Sequence, residues 1–357
     1  MARPELVVQL SIGPEVSLLA AIERLTKAER KILLVVARDG VLRSVVTDYD
    51  VRQAILSRRP LETPVGEFIQ HKPIVAADTA GERDILALIR DKRCHQIPIL
   101  DKVGRPVDVR FEDEFVHLAE QPRERAAVVM AGGLGTRLRP MTEEVPKPLL
   151  EVAGRPILFI LLDQIISEGF NKVYVTLFYK SQIIIERVRD VARYRDCVEF
   201  VIEDEPLGTA GSLSLLPRPP AEPFLIINGD LLTEVPLREM LEFHHRERNM
   251  VTVALKREQL EVPYGIAEVR DGRIVALREK PALALDINAG VYIASPEICG
   301  RVGPGVRLDM PHLVNELLQD GARIGSFPIH EFWLDVGTHE HFNEAQIRYR
   351  DRVGPDR

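Results

Sequence analysis

From Ala126 to Met130 the chain reads Ala-Ala-Val-Val-Met, and it turns at once through Ala131-Gly132-Gly133-Leu134-Gly135-Thr136-Arg137. An unbroken apolar run of this length before a glycine cluster predicts a strand buried on both faces, as in a mainly parallel sheet covered by helices. Few features constrain a fold more, because ligands of open α/β sheets bind in the crevice beyond the carboxyl ends of the strands. Glycines at that point let backbone N–H groups approach phosphate oxygens. The segment therefore predicts a phosphate site, completed by Arg137 and by Lys147, whose ammonium is carried between Pro146 and Pro148 on a backbone stiffened by fixed φ.

Two better-known glycine motifs do not fit. A Walker loop carries Lys-Ser/Thr directly after its last glycine, whereas Lys147 lies twelve residues beyond Gly135. The dinucleotide fingerprint needs a third glycine where Leu138 stands. The chain beyond Lys147 still has an α/β pattern: strands over Lys172–Phe178, Val198–Glu203 and Phe224–Asn228 alternate with helices over Pro156–Glu168 and Pro236–Arg248. Pro156 suits a first helical turn and Gly169 a helix end. Past Gly265 the Asp271-Gly272 pair signals a hairpin, so a mixed region succeeds the doubly wound part.

The first 120 residues are of another kind. They hold an imperfect repeat, about 1–60 and 61–120, of the sort built from stacked supersecondary units. A helical stretch Ser17–Lys27 precedes strand Ile32–Ala37, a turn at Asp39-Gly40 and strand Val41–Val46; Ala80–Lys92, Gln96–Leu100, a turn near Gly104 and Pro106–Phe111 keep the same order. Residues 121–125, Gln-Pro-Arg-Glu-Arg, are short, polar and carry a proline, and predict a linker to a second domain spanning 126–357.

A net charge of −7, from 47 basic and 54 acidic residues, gives no support for nucleic acid or acidic lipid as a partner, so anion binding must be local. Cys94, Cys197 and Cys299 are odd in number and far apart, which predicts three buried thiols rather than a disulfide framework or a metal motif. The start, Met-Ala-Arg-Pro-Glu-Leu, has no signal-peptide core, and the apolar run Pro156–Ile166 is broken by Asp163 and too short to span a bilayer. The expectation is a cytoplasmic protein.

The second domain resembles the sugar-1-phosphate nucleotidyltransferases, the pyrophosphorylases that make nucleotide-sugars. After the glycine segment come, in the family's order, Glu203-Asp204-Glu205-Pro206-Leu207-Gly208-Thr209-Ala210-Gly211, Asn228-Gly229-Asp230, Tyr264-Gly265, Glu279-Lys280-Pro281, Asn288-Ala289-Gly290 and Trp333-Leu334-Asp335-Val336-Gly337-Thr338. The resemblance implies a Rossmann-like α/β fold of the nucleotide-diphospho-sugar transferase type. It implies attack by a sugar 1-phosphate on the α-phosphorus of a nucleoside triphosphate. Ala131, Gly132, Gly133, Gly135, Thr136, Glu203, Gly208 and Thr209 then hold the nucleotide, and Arg137 and Lys147 neutralise the triphosphate. Tyr264, Gly265, Glu279, Lys280 and Asn288 hold the sugar phosphate, with Lys280 on its phosphate.

Because the attacker is already an anion, such a reaction needs positioning and charge neutralisation more than a histidine base. His244 and His245 are accordingly read as residues of a surface helix, and His312, His330, His339 and His341 have no metal-ligand spacing. Asp230 and Asp335, each at the end of an apolar run, suit Mg²⁺, which takes few carboxylates plus phosphate oxygens and water. At the place of Glu203 the family reads the edge of the base. A carboxylate there accepts from guanine N1 and N2 but repels the uracil or thymine edge, so GTP is expected. The run from Glu203 to Gly211 also resembles guanylyltransferases of the mannose-1-phosphate and heptose-1-phosphate kinds. Mannose, glucosamine, N-acetylglucosamine and heptose 1-phosphates stay open as acceptors, as do a uridylyl- or thymidylyltransferase on the same scaffold and a catalytically silent nucleotide sensor.

The repeated N-terminal part resembles an α+β pair of cystathionine-β-synthase-type (CBS) domains. Such modules bind adenine nucleotides through a Thr-x-x-Asp segment, matched by Thr47 and Asp50 in the first copy; Phe111 and Glu114 stand there in the second. At most one adenine-nucleotide pocket is expected, or an assembly role in a homo-oligomer.

Overall fold

Strand Ala126–Met130 lies inside a seven-stranded sheet whose order is Val198–Ile202, Lys172–Leu177, Ala126–Met130, Phe224–Asn228, Ala282–Ala294, Val251–Glu261 and Ile324–Ile329. The first four strands run parallel, with Lys172 opposite Ala126 and Leu225 opposite Ala127. Ala282–Ala294 reverses direction against both of its neighbours, and Ile324–Ile329 runs parallel to Val251–Glu261. The sheet is thus the doubly wound parallel half expected from strand–helix alternation, joined to a mixed half. The computed structural model describes residues 3–28, 30–69, 71–92, 94–118 and 124–353. It divides into two compact units, Met1–Arg123 and Glu124–Arg357; Gln121–Arg123 of the expected linker lie outside the described residues.

Side chains of alternate parity leave the two faces of the sheet and meet helices on each. On one face Val128, Tyr174, Val201, Ile226, Val251 and Tyr292 pack against Met310, Leu313 and Leu317 of helix Met310–Gln319. Leu313 is fully buried, and truncating such a leucine to alanine costs about 2–5 kcal/mol. A second cluster joins Leu138, Ile157, Leu232, Leu334 and Val336. Several of these residues neighbour Arg137, Asp230 and Asp335 in sequence, so this packing anchors the segments that carry the candidate site. Helix Ile157–Ser167 starts after Pro156 and stops at Gly169, whose φ of +88° reverses the chain while its N–H meets the carbonyl of Ile166 at 3.0 Å.

Two side-chain expectations require correction. His244 is 2% exposed, because Leu237, Met240, Leu241 and His244 share the buried face of helix Leu237–Glu247. Its Nδ1 lies 3.0 Å from Thr252 Oγ1 and its Nε2 3.2 Å from Ser295 Oγ. Of the cysteines only Cys94 is buried; Cys197 and Cys299 are partly exposed. Among the described residues no helix is long and apolar enough to cross a membrane.

Past the sheet, Val251–Glu261 and Ala282–Ala294 continue as a two-stranded extension from Arg257 opposite Asp286 to Glu261 opposite Ala282. Between them sits the hairpin Ile266–Arg270 with Arg273–Arg278, turned by Asp271 and Gly272 at φ of +49° and +74°. Positive φ at both turn residues matches the strand twist, which is why Asp-Gly is found there.

In the N-terminal unit the same three-stranded motif occurs twice. Ser11–Ile12 runs parallel to Ile32–Val36, which pairs antiparallel with Leu42–Thr47; Ala76–Ala77, Gln96–Leu100 and Pro106–Phe111 repeat this order, each hairpin with an irregularity near its turn. In the first copy Asp50 Oδ2 accepts from the backbone N–H and the hydroxyl of Thr47, both at 2.8 Å, while Oδ1 meets His71 Nε2 at 2.7 Å. In the second, the Arg3 guanidinium pairs with Asp108 and Glu114 and lies over the Phe111 ring.

Candidate active site

The carboxyl ends of the parallel strands open into a cleft of about 450 Å³, lined by the glycine segment and by Lys147, Glu203, Gly208, Thr209, Asp230 and Asp335. Ala131, Gly132, Gly133, Gly135, Thr136 and Arg137 all take part in that lining. Gly135 sits at φ +64°, and a Cβ there would lie 3.0 Å from Thr142 and 3.3 Å from Lys147. Only glycine lets the loop turn and close against Lys147. A Cβ on Gly132 would meet Glu203 Oε1 at 3.0 Å, whereas Gly133 faces open space. Gly229 similarly packs against Ala131, bringing the ends of two neighbouring strands together.

Lys147 is 9% exposed and donates to Asp230 Oδ2. The antiparallel pair Leu231–Thr233 and Trp333–Asp335 sets Leu231 opposite Asp335, and the Val336 N–H reaches the Asp230 carbonyl at 3.0 Å. Two aspartates 105 positions apart in the numbering are thereby placed side by side in the fold. Burial pushes the Asp335 carboxyl above its usual range, and the charge of Asp230 adds to this; Lys147, Arg137 and His341 pull the other way. Asp335 Oδ1 is buried without a hydrogen-bond partner among the described residues. A buried carboxylate oxygen left unmatched costs about 1–3 kcal/mol or more, and a cation relieves both that cost and the repulsion from Asp230. The pair thus fits a hard divalent ion that completes its shell with phosphate oxygens and water. Gly337 keeps the space between the partners: a Cβ there would lie 3.2 Å from Asp335 Oδ1 and 3.6 Å from an Arg137 nitrogen.

Glu203 is 6% exposed, unlike the solvated Asp204 and Glu205 beside it. Its Oε2 accepts the Leu207 N–H at 2.9 Å, Thr176 adds a side-chain hydrogen bond, and burial raises its pKa above the usual carboxylate value. Part of its accepting capacity therefore holds its own turn. Thr209 lines the cleft, yet its hydroxyl accepts the Met310 N–H at 2.8 Å, at the start of helix Met310–Gln319.

The structure separates the residues expected at the sugar phosphate, which the motifs placed together. Asn288 lies at the sheet, where it donates to the Tyr292 hydroxyl at 2.6 Å and accepts the Gly290 N–H at 3.0 Å. Gly290, at φ +69°, abuts Asn228 of the cleft. Tyr264, 74% exposed, lies with Gly265, Glu279 and Lys280 around the outlying hairpin, and none of these four lines the cleft. Gly265 does adjoin Glu279, 3.1 Å from its Oε2 to a Cβ built on the glycine. The long strands carry these residues away from the glycine segment, a distance that motif order does not encode.

Residues 126–352 match the family model described as Nucleotidyl transferase. The chain belongs to the nucleotidyl transferase family. It is 30% identical over 232 residues to a mannose-1-phosphate guanyltransferase of Aspergillus oryzae, covering 62% of this chain and 64% of that protein. It is 31% identical over 238 residues to the mannose-1-phosphate guanylyltransferase catalytic subunit beta of Danio rerio, covering 64% and 65%. The chain thus spans slightly less than two thirds of the length of these curated relatives. A UDP-glucose pyrophosphorylase structure from Acinetobacter baumanii superposes with a TM-score of 0.52 at 17% identity, over 66% of this chain and 95% of that one, a likeness of fold.

Within the nucleotidyl transferase unit the cleft also holds a cation that motif reading missed, Arg307. It lies in Gly-Pro-Gly-Val-Arg-Leu-Asp, outside each of the family's motifs, and only the pairing of this segment with Leu207–Gly211 brings it to the site.

Proposed function

We propose that this chain transfers a guanylyl group from GTP to a sugar 1-phosphate, giving a GDP-sugar and pyrophosphate. The observation that carries this reading is the meeting, in one cleft, of the glycine segment, Arg137, the Lys147–Asp230 pair and the buried, unmatched Asp335. The guanylyl choice is supported by the activity named for the relatives and by a buried carboxylate, Glu203, whose Oε1 faces Gly132 at the cleft wall.

In this reading the amides of the 131–136 segment and Arg137 hold the triphosphate, which positions the α-phosphorus for in-line attack by an oxygen that needs no base. Lys147, fixed by Asp230, adds positive charge where negative charge gathers. Asp230 and Asp335 would hold Mg²⁺, which supplies charge neutralisation to the phosphates when bound. Tyr264, Gly265, Glu279, Lys280 and Asn288 are proposed for the acceptor, the hairpin residues by approach of the extension to the cleft. We also read the enzyme as cytoplasmic and as a homo-oligomer.

The duplicated motif of the N-terminal unit supports reading it as a CBS-type pair, with Thr47 and Asp50 as its one candidate adenine-nucleotide site. Against a preformed pocket stands His71, already on Asp50. Pyrophosphate release measured with GTP, UTP, dTTP and ATP against a panel of sugar 1-phosphates tests the proposal. GTP is expected to lead; a lead by UTP or dTTP would move the activity to the sibling class, and no release with any pair would favour a silent nucleotide sensor.

A further inference from the structure

We infer that Arg307 reads the O6/N7 edge of the guanine base and is a specificity-determining residue of the cleft; the inference rests on guanylyl transfer as the activity. Among the described residues three cations line the cleft, and two have other work: Lys147 is paired with Asp230, and Arg137 belongs to the glycine segment beside Asp335. The Arg307 side chain makes no hydrogen bond or ion pair among the described residues.

Its backbone is tied to a neighbouring segment. The Leu308 N–H meets the Leu207 carbonyl at 2.8 Å, the Leu308 carbonyl accepts from Ala210 and Gly211 at 2.8 and 3.0 Å, and Asp309 Oδ1 accepts the Thr209 N–H at 3.0 Å. A Cβ on Gly211 would fall 2.5 Å from the Val306 carbonyl oxygen, so the two segments touch backbone to backbone. The Arg307 backbone is therefore tied to the same wall as Gly208 and Thr209, which run on from Glu203, and its exposed side chain lines the cleft from there. That is the wall proposed for the base, whereas the aspartates and Arg137 are proposed for the phosphates.

Guanine presents two donors, N1–H and N2–H, and on the adjoining edge two acceptors, O6 and N7. Glu203 offers acceptors only, and Oε2 already serves Leu207. The acceptor edge needs a pair of donors in a fork, the geometry of a guanidinium. Adenine would turn its N6 donors toward that fork, so the same residue also rejects ATP.

The test uses the full-length enzyme with GTP, 7-deaza-GTP and ATP. For the native chain kcat/KM should fall about tenfold when N7 is replaced by carbon. In Arg307→Ala, which removes both the O6 and the N7 contact, GTP should lose more than that factor, 7-deaza-GTP should lose only the smaller O6 share, and discrimination against ATP should shrink, while the KM for the sugar 1-phosphate stays within about twofold. Arg307→Lys should restore little, since an ammonium lacks the fork. An unchanged preference for GTP over 7-deaza-GTP in Arg307→Ala, or a rise confined to the sugar 1-phosphate KM, would overturn the inference while leaving guanylyl transfer intact. A native enzyme that ignores GTP would instead remove the activity on which it rests.

Discussion

His244 gives the transferase unit a pH dependence that can be calculated from its surroundings. Burial, with a smaller contribution from His245, lowers its pKa from 6.5 to about 4. The folded state keeps the imidazole neutral between Thr252 and Ser295, while the unfolded chain protonates it near pH 6.5. Between those values the unfolded state binds more protons, so stability falls as pH drops from 6.5 toward 4 and is fully present above 6.5. The shift corresponds to roughly 3 kcal/mol in full and about 2 kcal/mol by pH 5. Trp333 is the only tryptophan and lies in this unit, so urea unfolding monitored by its fluorescence reports on the right part of the chain. His244→Gln costs stability at every pH through lost packing, but its loss between pH 8 and pH 5 should be about 2 kcal/mol smaller than that of the native chain. Equal losses in the two proteins would refute the assignment, since all other titrating groups are shared.

Gly208→Ala should lower stability by about 2 kcal/mol or more and raise the KM for GTP, because φ is +78° and the new Cβ would lie 2.6 Å from Asp309 Oδ1; unchanged melting would remove the clamp from the account. Glu203→Gln should cut the preference for GTP over UTP by about 1–3 kcal/mol in ΔΔG, and a constant ranking of the four triphosphates would leave Glu203 with its turn alone. On the proposed reading of the N-terminal unit, an adenine nucleotide would have to displace His71 to reach Asp50. Calorimetry on the full chain should therefore find AMP binding tightened by His71→Ala and abolished by Asp50→Ala; no heat with AMP, ADP or ATP in any variant would leave the unit an assembly role.

Much of the architecture was legible because its signals are local. Ala126–Met130 is apolar throughout, as a strand covered on both faces must be, and Gly135, Gly169 and Gly272 mark positive-φ positions that other residues adopt at a cost. Asp230 and Asp335 could be named from motif order, though only the pairing of Leu231 with Asp335 makes them neighbours. What stayed hidden depends on the third dimension. The burial of His244 is fixed by which helix face meets the sheet, and its helical spacing from Leu237, Met240 and Leu241 would have been the signal. Thr209 and Glu203 were read as ligand groups, yet both also hold backbone at the cleft wall. Arg307 has no motif around it, and the separation of Tyr264 and Lys280 from the cleft comes from strand lengths that run past the sheet.

The two-aspartate site is the centre of the account, and its most direct test is turnover of GTP with sugar 1-phosphates as Mg²⁺ is titrated, in the native enzyme and in Asp335→Asn. The account predicts no turnover without the metal and saturable activation in the native protein. It predicts a loss of several orders of magnitude in kcat for the variant at saturating Mg²⁺, with its thermal stability kept or raised because Asp335 Oδ1 no longer holds an unmatched buried charge. Near-native turnover in Asp335→Asn, or full activity of the native enzyme in the presence of a chelator, would contradict it.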